Sequence, residues 1–148
     1  MYKAIVVGTD GSETAERAVR EAAGLAKAFA VPLHVVSAYR TTTPVASMAM
    51  AEVGGAGMFG DWLFDQRSGV EEQLEAVRRQ LADDGVATEV HCLPGSPVDA
   101  ILKVADDTHA DLIVVGNKGM NGARRVLGSV PNSIAHKAAC TVVVVKTC

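Results

Sequence analysis

A chain of 148 residues, 49% of them hydrophobic and 21% charged, suffices for one domain with a full apolar core. Its net charge of −3 is small and of the wrong sign for nucleic acid or an anionic membrane as a general partner, and no basic tract offsets it. No apolar run reaches membrane-spanning length, and Met1-Tyr2-Lys3 leads into strand-like sequence in place of a secretory signal, so the expected location is cytoplasmic.

Ala4 to Val7 is a short apolar run whose valine and isoleucine suit a strand. It empties into Gly8-Thr9-Asp10-Gly11-Ser12-Glu13-Thr14, which puts Asp10 at the carboxyl end of that strand, where ligands bind in open α/β sheets. A carboxylate there suits a ribose hydroxyl or a metal held by phosphates. It also suits capping of the following helix, with Glu13 three residues on completing a capping box. Ala15, Ala18, Val19, Ala22, Leu25, Ala26 and Phe29 form the apolar stripe of that helix. Leu33 to Val36 reads as the second strand.

Thr41 to Asp65 carries Met48, Met50, Gly54, Gly55, Gly57, Met58 and Gly60 without a clear period, and reads as a long, mobile connection. Trp62, Leu63 and Phe64 anchor its far end, where a second helix begins with the stripe Val70, Leu74, Val77 and Leu81. Val86 to Leu93 alternates, interposing Thr88, Glu89 and His91, as a strand near a sheet edge would. In Ser96-Pro97-Val98-Asp99, Ser96 can cap a third helix, Pro97 suits its first turn and Asp99 its dipole. Leu112 to Val115 is a fourth strand, Val130 to Ala138 a last helix and Val142 to Val145 a fifth strand. Continuous apolar strands alternating with helices imply a parallel sheet covered on both faces, a single α/β domain of three layers.

The segment Gly116-Asn117-Lys118-Gly119, followed by Gly128-Ser129, lies between the fourth strand and the last helix. Backbone N–H groups there have no partner in regular structure, glycine leaves them accessible to an anion, and the helix starting near Ser129 points its positive end at the same place. Phosphate is the ligand such a loop suits; turning the chain is its other use. Cys92, Cys140 and Cys148 form no C-x-x-C pair and read as reduced thiols, the first two as small hydrophobes. His34, His91, His109 and His136 are scattered, and each reads as structural.

Val6-Val7-Gly8-Thr9-Asp10-Gly11-Ser12, together with Val114-Val115-Gly116-Asn117-Lys118-Gly119 and Leu127-Gly128-Ser129-Val130, resembles the universal stress protein family across essentially the whole chain. The resemblance implies a three-layer α/β/α sandwich of the adenine nucleotide α-hydrolase-like kind, with a five-stranded parallel sheet in the order 3-2-1-4-5. In the family's ATP-binding branch an adenine nucleotide lies across strands one and four. Carried over by position, Gly8, Thr9 and Asp10 would meet adenine and ribose, with Val35 against the base. Gly116, Gly119, Gly128, Ser129 and Val130 would hold ribose and phosphates, with Val115 and Asn117 alongside and Lys118 near them.

Eight residues, Met120 to Leu127, separate Gly119 from Gly128, one fewer than the family's usual spacing. The shortening leaves open whether ATP or a smaller ligand such as AMP or cyclic AMP is held, and Arg124 and Arg125 lie in the shortened stretch. Mg or Mn is the ion that phosphates would bring, with its protein ligands undetermined. The family's dimers imply a homodimer through Val142 to Val145, an apolar edge that pairing would cover. With no positioned base, Walker lysine or G-x-S-x-G elbow, no residue reads as catalytic and at most weak ATP hydrolysis is expected. The expected function is nucleotide binding in stress response or regulation. The alternatives are a structural or regulatory dimer without nucleotide, and an Asp10-dependent phosphotransferase, for which Ser12 stands where a second acid would be wanted.

Overall fold

A computed structural model describes residues 1–40, 56–117 and 129–147, with the main chain alone at 56–65. Five strands, β1 (Ile5–Gly8), β2 (Leu33–Tyr39), β3 (Thr88–Pro94), β4 (Leu112–Gly116) and β5 (Thr141–Val145), form one sheet in the order β3-β2-β1-β4-β5. Every neighbouring pair is parallel. Among the described residues there are four helices: α1 (Glu13–Phe29), α2 (Ala56–Asp83), α3 (Pro97–Asp107) and α4 (Ser129–Lys137). The expected α/β/α sandwich and strand order are both observed.

Each strand supplies residues alternately to the two faces. Ile5, Val7, Leu33, Val35, Leu112 and Val114 pack beneath α1 and α2 against Ala18, Ala22, Leu74 and Leu81. Val6, Val36, Ile113 and Val115 pack on the other face against Ile101, Val104 and, from α4, Ile134. Full burial of each valine, leucine or isoleucine is worth about 1.5–3 kcal/mol, so this two-sided core is what holds the strand ends in place. Small side chains on α1, chiefly Ala18, Ala22 and Ala26, let that helix lie close over β1 and β4.

The helix starts are built from short polar side chains. Ser96 caps α3, its Oγ accepting the Asp99 N–H at 3.1 Å, with Pro97 in the first turn as expected. The cap of α1 is Ser12, not Asp10: the Ser12 Oγ accepts the Ala15 N–H at 3.2 Å. Glu13 and Glu16 in the first turn and Lys27 in the last complement the dipole of α1.

Three boundaries differ by two residues or more from the sequence reading. Helix α2 begins at Ala56, within the stretch read as a connection, and runs through Gly57 and Gly60 although each glycine costs about 1 kcal/mol in a helix. A helix anchored by Leu74 and Leu81 propagates at one hydrogen bond per added residue, which offsets that cost. The rest of that connection, 41–55, lies outside the described residues. Strand β2 continues to Tyr39, paired with Pro94 of β3, and β3 begins at Thr88, two residues after Val86. Proline is tolerated there because β3 is an edge strand.

Candidate functional site

The carboxyl ends of β1 and β4 lie side by side at the centre of the sheet. From β1 the chain crosses toward β2 over one face through α1, and from β4 toward β5 over the other through α4. Diverging connections of this kind mark the topological switch point, beside which open α/β sheets carry their ligand crevice.

On the β1 side, the Thr9 N–H donates to the Val36 carbonyl at 2.9 Å, extending the β1–β2 ladder one residue past Gly8. The chain then turns through Gly11 at φ +78°, a left-handed conformation that favours glycine. Thr9 Oγ1 accepts the Gly11 N–H at 3.2 Å and Asp10 Oδ1 accepts the Ser12 N–H at 2.9 Å. Ser12 and Thr14 hydroxyls are 3.0 Å apart. One oxygen of the exposed Asp10 is therefore occupied in holding the loop, and the other has no partner among the described residues. A carboxylate so placed can accept hydroxyl protons or ligate a hard cation.

On the β4 side, Asn117 continues the strand direction by donating its N–H to the Val145 carbonyl at 2.9 Å. Its side-chain Oδ1 accepts from Thr147 twice, from the backbone N–H at 2.9 Å and from the hydroxyl at 2.8 Å. Arg17 on α1 donates to the Thr147 carbonyl at 3.1 Å. Asn117 thus fastens the chain after β5 to the end of β4, a structural role for one of the expected ligand residues. Ser129 and Val130 form the first turn of α4, where main-chain N–H groups are unpaired within the helix. Gly119 and Gly128 lie outside the described residues, as do Lys118, Arg124 and Arg125.

Gly8 and Gly116 serve packing. A Cβ on Gly8 would overlap the Cδ1 of Ile101, and one on Gly116 would sit 3.2 Å from Thr147 Cγ2 and 3.8 Å from Ala18 Cβ. Neither has a left-handed φ. Val35 has no exposed surface and lies among the residues under α1, whereas Val36 is the β2 residue registered with Gly8. Val115 is likewise enclosed, on the α3 face.

The chain matches the model of the universal stress protein family over residues 1–146. It belongs to that family. Universal stress protein Rv1636 of Mycobacterium tuberculosis is 36% identical over 154 residues, spanning 99% of this chain and 97% of its own. Among solved structures, a universal stress protein in complex with cAMP is 31% identical, with a TM-score of 0.71 over 99% of this chain and 98% of that one. The universal stress protein of Archaeoglobus fulgidus in complex with dAMP is 29% identical, with a TM-score of 0.68 over 98% of each chain.

Away from the crevice, this universal stress protein has a group of side chains that the sequence order hides. His34 on β2 stands opposite Glu89 on β3, with His91 two residues farther along the same face of β3. Burial disfavours the protonated form of both imidazoles, and their mutual repulsion adds to this at His91, while Glu89 opposes it. The visible signal is the E-x-H alternation of β3; what it lacks without a fold is the register against β2. Cys92 and Cys140 are free, half-buried thiols packed beside the two cores, and burial raises the pKa of each, which makes both poor nucleophiles. Cys148 lies outside the described residues.

Proposed function

We propose that this universal stress protein binds an adenine nucleotide, ATP foremost, across the carboxyl ends of β1 and β4, and acts as a nucleotide-responsive homodimer in cytoplasmic stress response. The observation that carries the reading is the adjacency of β1 and β4 with oppositely directed connections, which opens the crevice at Asp10 and Gly116. Two structural relatives of 29–31% identity are complexes with cAMP and dAMP, which supports an adenine nucleotide as the ligand class.

In this reading the free oxygen of Asp10 accepts a ribose hydroxyl, while its other oxygen keeps the loop in shape through Ser12. Thr9 and Gly8 line the purine end. The first turn of α4, at Ser129 and Val130, meets phosphate with unpaired N–H groups and the positive end of the helix dipole. Gly116, Gly119 and Gly128 complete the phosphate loop, with Asn117 holding its first residue against Thr147. Val35 and Val115, being enclosed, contribute through the core that supports the strand ends. Mg²⁺ or Mn²⁺ would accompany a polyphosphate and neutralise its charge; Asp10 is an exposed carboxylate of the kind such an ion takes.

The reading is binding, not turnover, and the nucleotide acts by changing the dimer or its partners. Protein purified without added nucleotide, heated and cleared by centrifugation, is expected to release an adenine nucleotide identifiable by chromatography. Protein that releases none, and that afterwards fails to bind ATP, AMP or cyclic AMP, would instead support a family member that works without nucleotide.

A further inference from the structure

The group at the β2/β3 edge has the make-up of a metal site. His34 Nδ1 lies 3.1 Å from His91 Nε2 and 3.6 Å from Glu89 Oε2, and the donor atoms of the three residues are all within 4.8 Å of one another. In a tetrahedral zinc site, with metal–ligand distances of about 2.0–2.1 Å, neighbouring donors are about 3.3–3.4 Å apart. The two distances from His34 bracket that value. The backbone sets this arrangement: Glu89 and His91 share one face of β3 by strand periodicity, and the parallel register puts His34 directly across from Glu89. His34 is only 6% exposed, which fixes its ring, whereas the Glu89 side chain is 70% exposed and can swing to close the remaining gap.

We propose that His34, Glu89 and His91 bind a Zn²⁺ ion through His34 Nδ1, His91 Nε2 and one Glu89 carboxylate oxygen, with water as the fourth ligand. Two imidazoles and one carboxylate select a borderline transition ion over Mg²⁺ or Ca²⁺, which prefer oxygen donors. Without metal, one ring nitrogen must keep a proton for the pair to hydrogen-bond; the ion takes the place of that proton. Asp107 at the end of α3 adds a negative charge near His91 that favours a cation. His34 lies on the strand next to β1, registered with Val6, and Glu89 and His91 lie one strand beyond, about 10 Å from β1 across the sheet; none of the three is at the carboxyl ends of β1 and β4. Its effect is to clamp the edge strand β3 to β2.

The full chain, stripped with EDTA and then dialysed against ZnCl₂, should take up one Zn²⁺ per chain and gain thermal stability that rises with the logarithm of the free ion concentration. Co²⁺ in place of Zn²⁺ should give the visible ligand-field spectrum of a four-coordinate centre. Glu89→Gln and His91→Gln lie at accessible positions, and each should weaken Zn²⁺ uptake at least about tenfold, the loss typical of far milder changes around metal ligands, while circular dichroism stays unchanged. His34→Asn should abolish uptake, but this ring is buried, so the two β3 variants decide. Wild-type protein that takes up no Zn²⁺ overturns the proposal, and so does uptake that is unchanged in both β3 variants, which would assign the ion to other residues such as the cysteines.

Discussion

At Asp10 and Ser12 two tasks that one residue could have carried are divided. Ser12 caps α1, so Ser12→Ala should cost about 1 kcal/mol, read from the midpoint of urea unfolding; an unchanged midpoint would mean that another group satisfies the Ala15 amide. Gly8 illustrates how a glycine in a binding motif can owe its identity to packing. Gly8→Ala should cost about 1–3 kcal/mol through overlap with Ile101, and Ile101→Val, which removes the overlapping methyl, should recover part of the loss in the double variant. Additive losses would show that Ile101 is not the obstacle. His34 and His91 give the protein a pH dependence. Burial lowers both pKa values below the ordinary 6.5, so the unfolded chain binds more protons than the folded one just below that pH. In EDTA, stability should be level above about pH 6.5 and decline as the pH falls through it, with a smaller decline in His91→Gln. Asp111 does not confuse the measurement, because the amides of Lys3 and Ala4 hold its carboxyl below its ordinary 3.8, and its contribution is lost only at lower pH. A flat profile between about pH 8 and pH 5 would contradict the assignment of the pair as buried neutral rings.

Among the elements, the edge strand β5 bears on assembly. Val145 directs its carbonyl to Asn117 on the β4 side, so by strand periodicity the N–H of Val144 points to the open edge, and Val144 is the most exposed of the strand's valines. Val144→Pro should therefore leave the β4–β5 ladder intact, remove an outward donor and yield a monomer in light scattering; a persistent dimer would place the interface elsewhere. The strands were legible because burial on both faces demands runs such as Leu112 to Val115. Their ends were less so, since Tyr39 joins β2 only by pairing with Pro94, a partner that no local pattern names. Helix α2 was missed over its first turns because the glycines near residue 60 argue locally against a helix that is anchored at Leu74 and beyond.

For the whole molecule, periodicity alone led to a layered α/β domain, but not to the strand order, because which strands meet is decided by packing between segments far apart in sequence. That order came from the resemblance, and with it the pairing of Asp10 and Gly116 in one crevice. Half of the candidate site was legible for this reason. The carboxylate of Asp10 at the end of β1 and the helix start at Ser129 were read from motifs, whereas the structural employment of Asn117 and the enclosure of Val35 depend on Thr147 and on the face to which β2 turns alternate residues. The His34–Glu89–His91 group was illegible for the same physical reason: a register between two strands more than fifty residues apart created it. If an adenine nucleotide is held at the β1/β4 crevice by Asp10, its affinity depends on the charge of that carboxylate. Calorimetric titration of nucleotide-free protein with ATP tests it most directly, alongside Asp10→Asn, which keeps an acceptor for the Ser12 amide but removes the charge. One ATP per chain is expected, with an affinity roughly 10–100-fold weaker in Asp10→Asn, the value of a hydrogen bond to a charged group of about 1.5–3 kcal/mol. Equal affinity in the two proteins, or no binding of ATP by either, would contradict it.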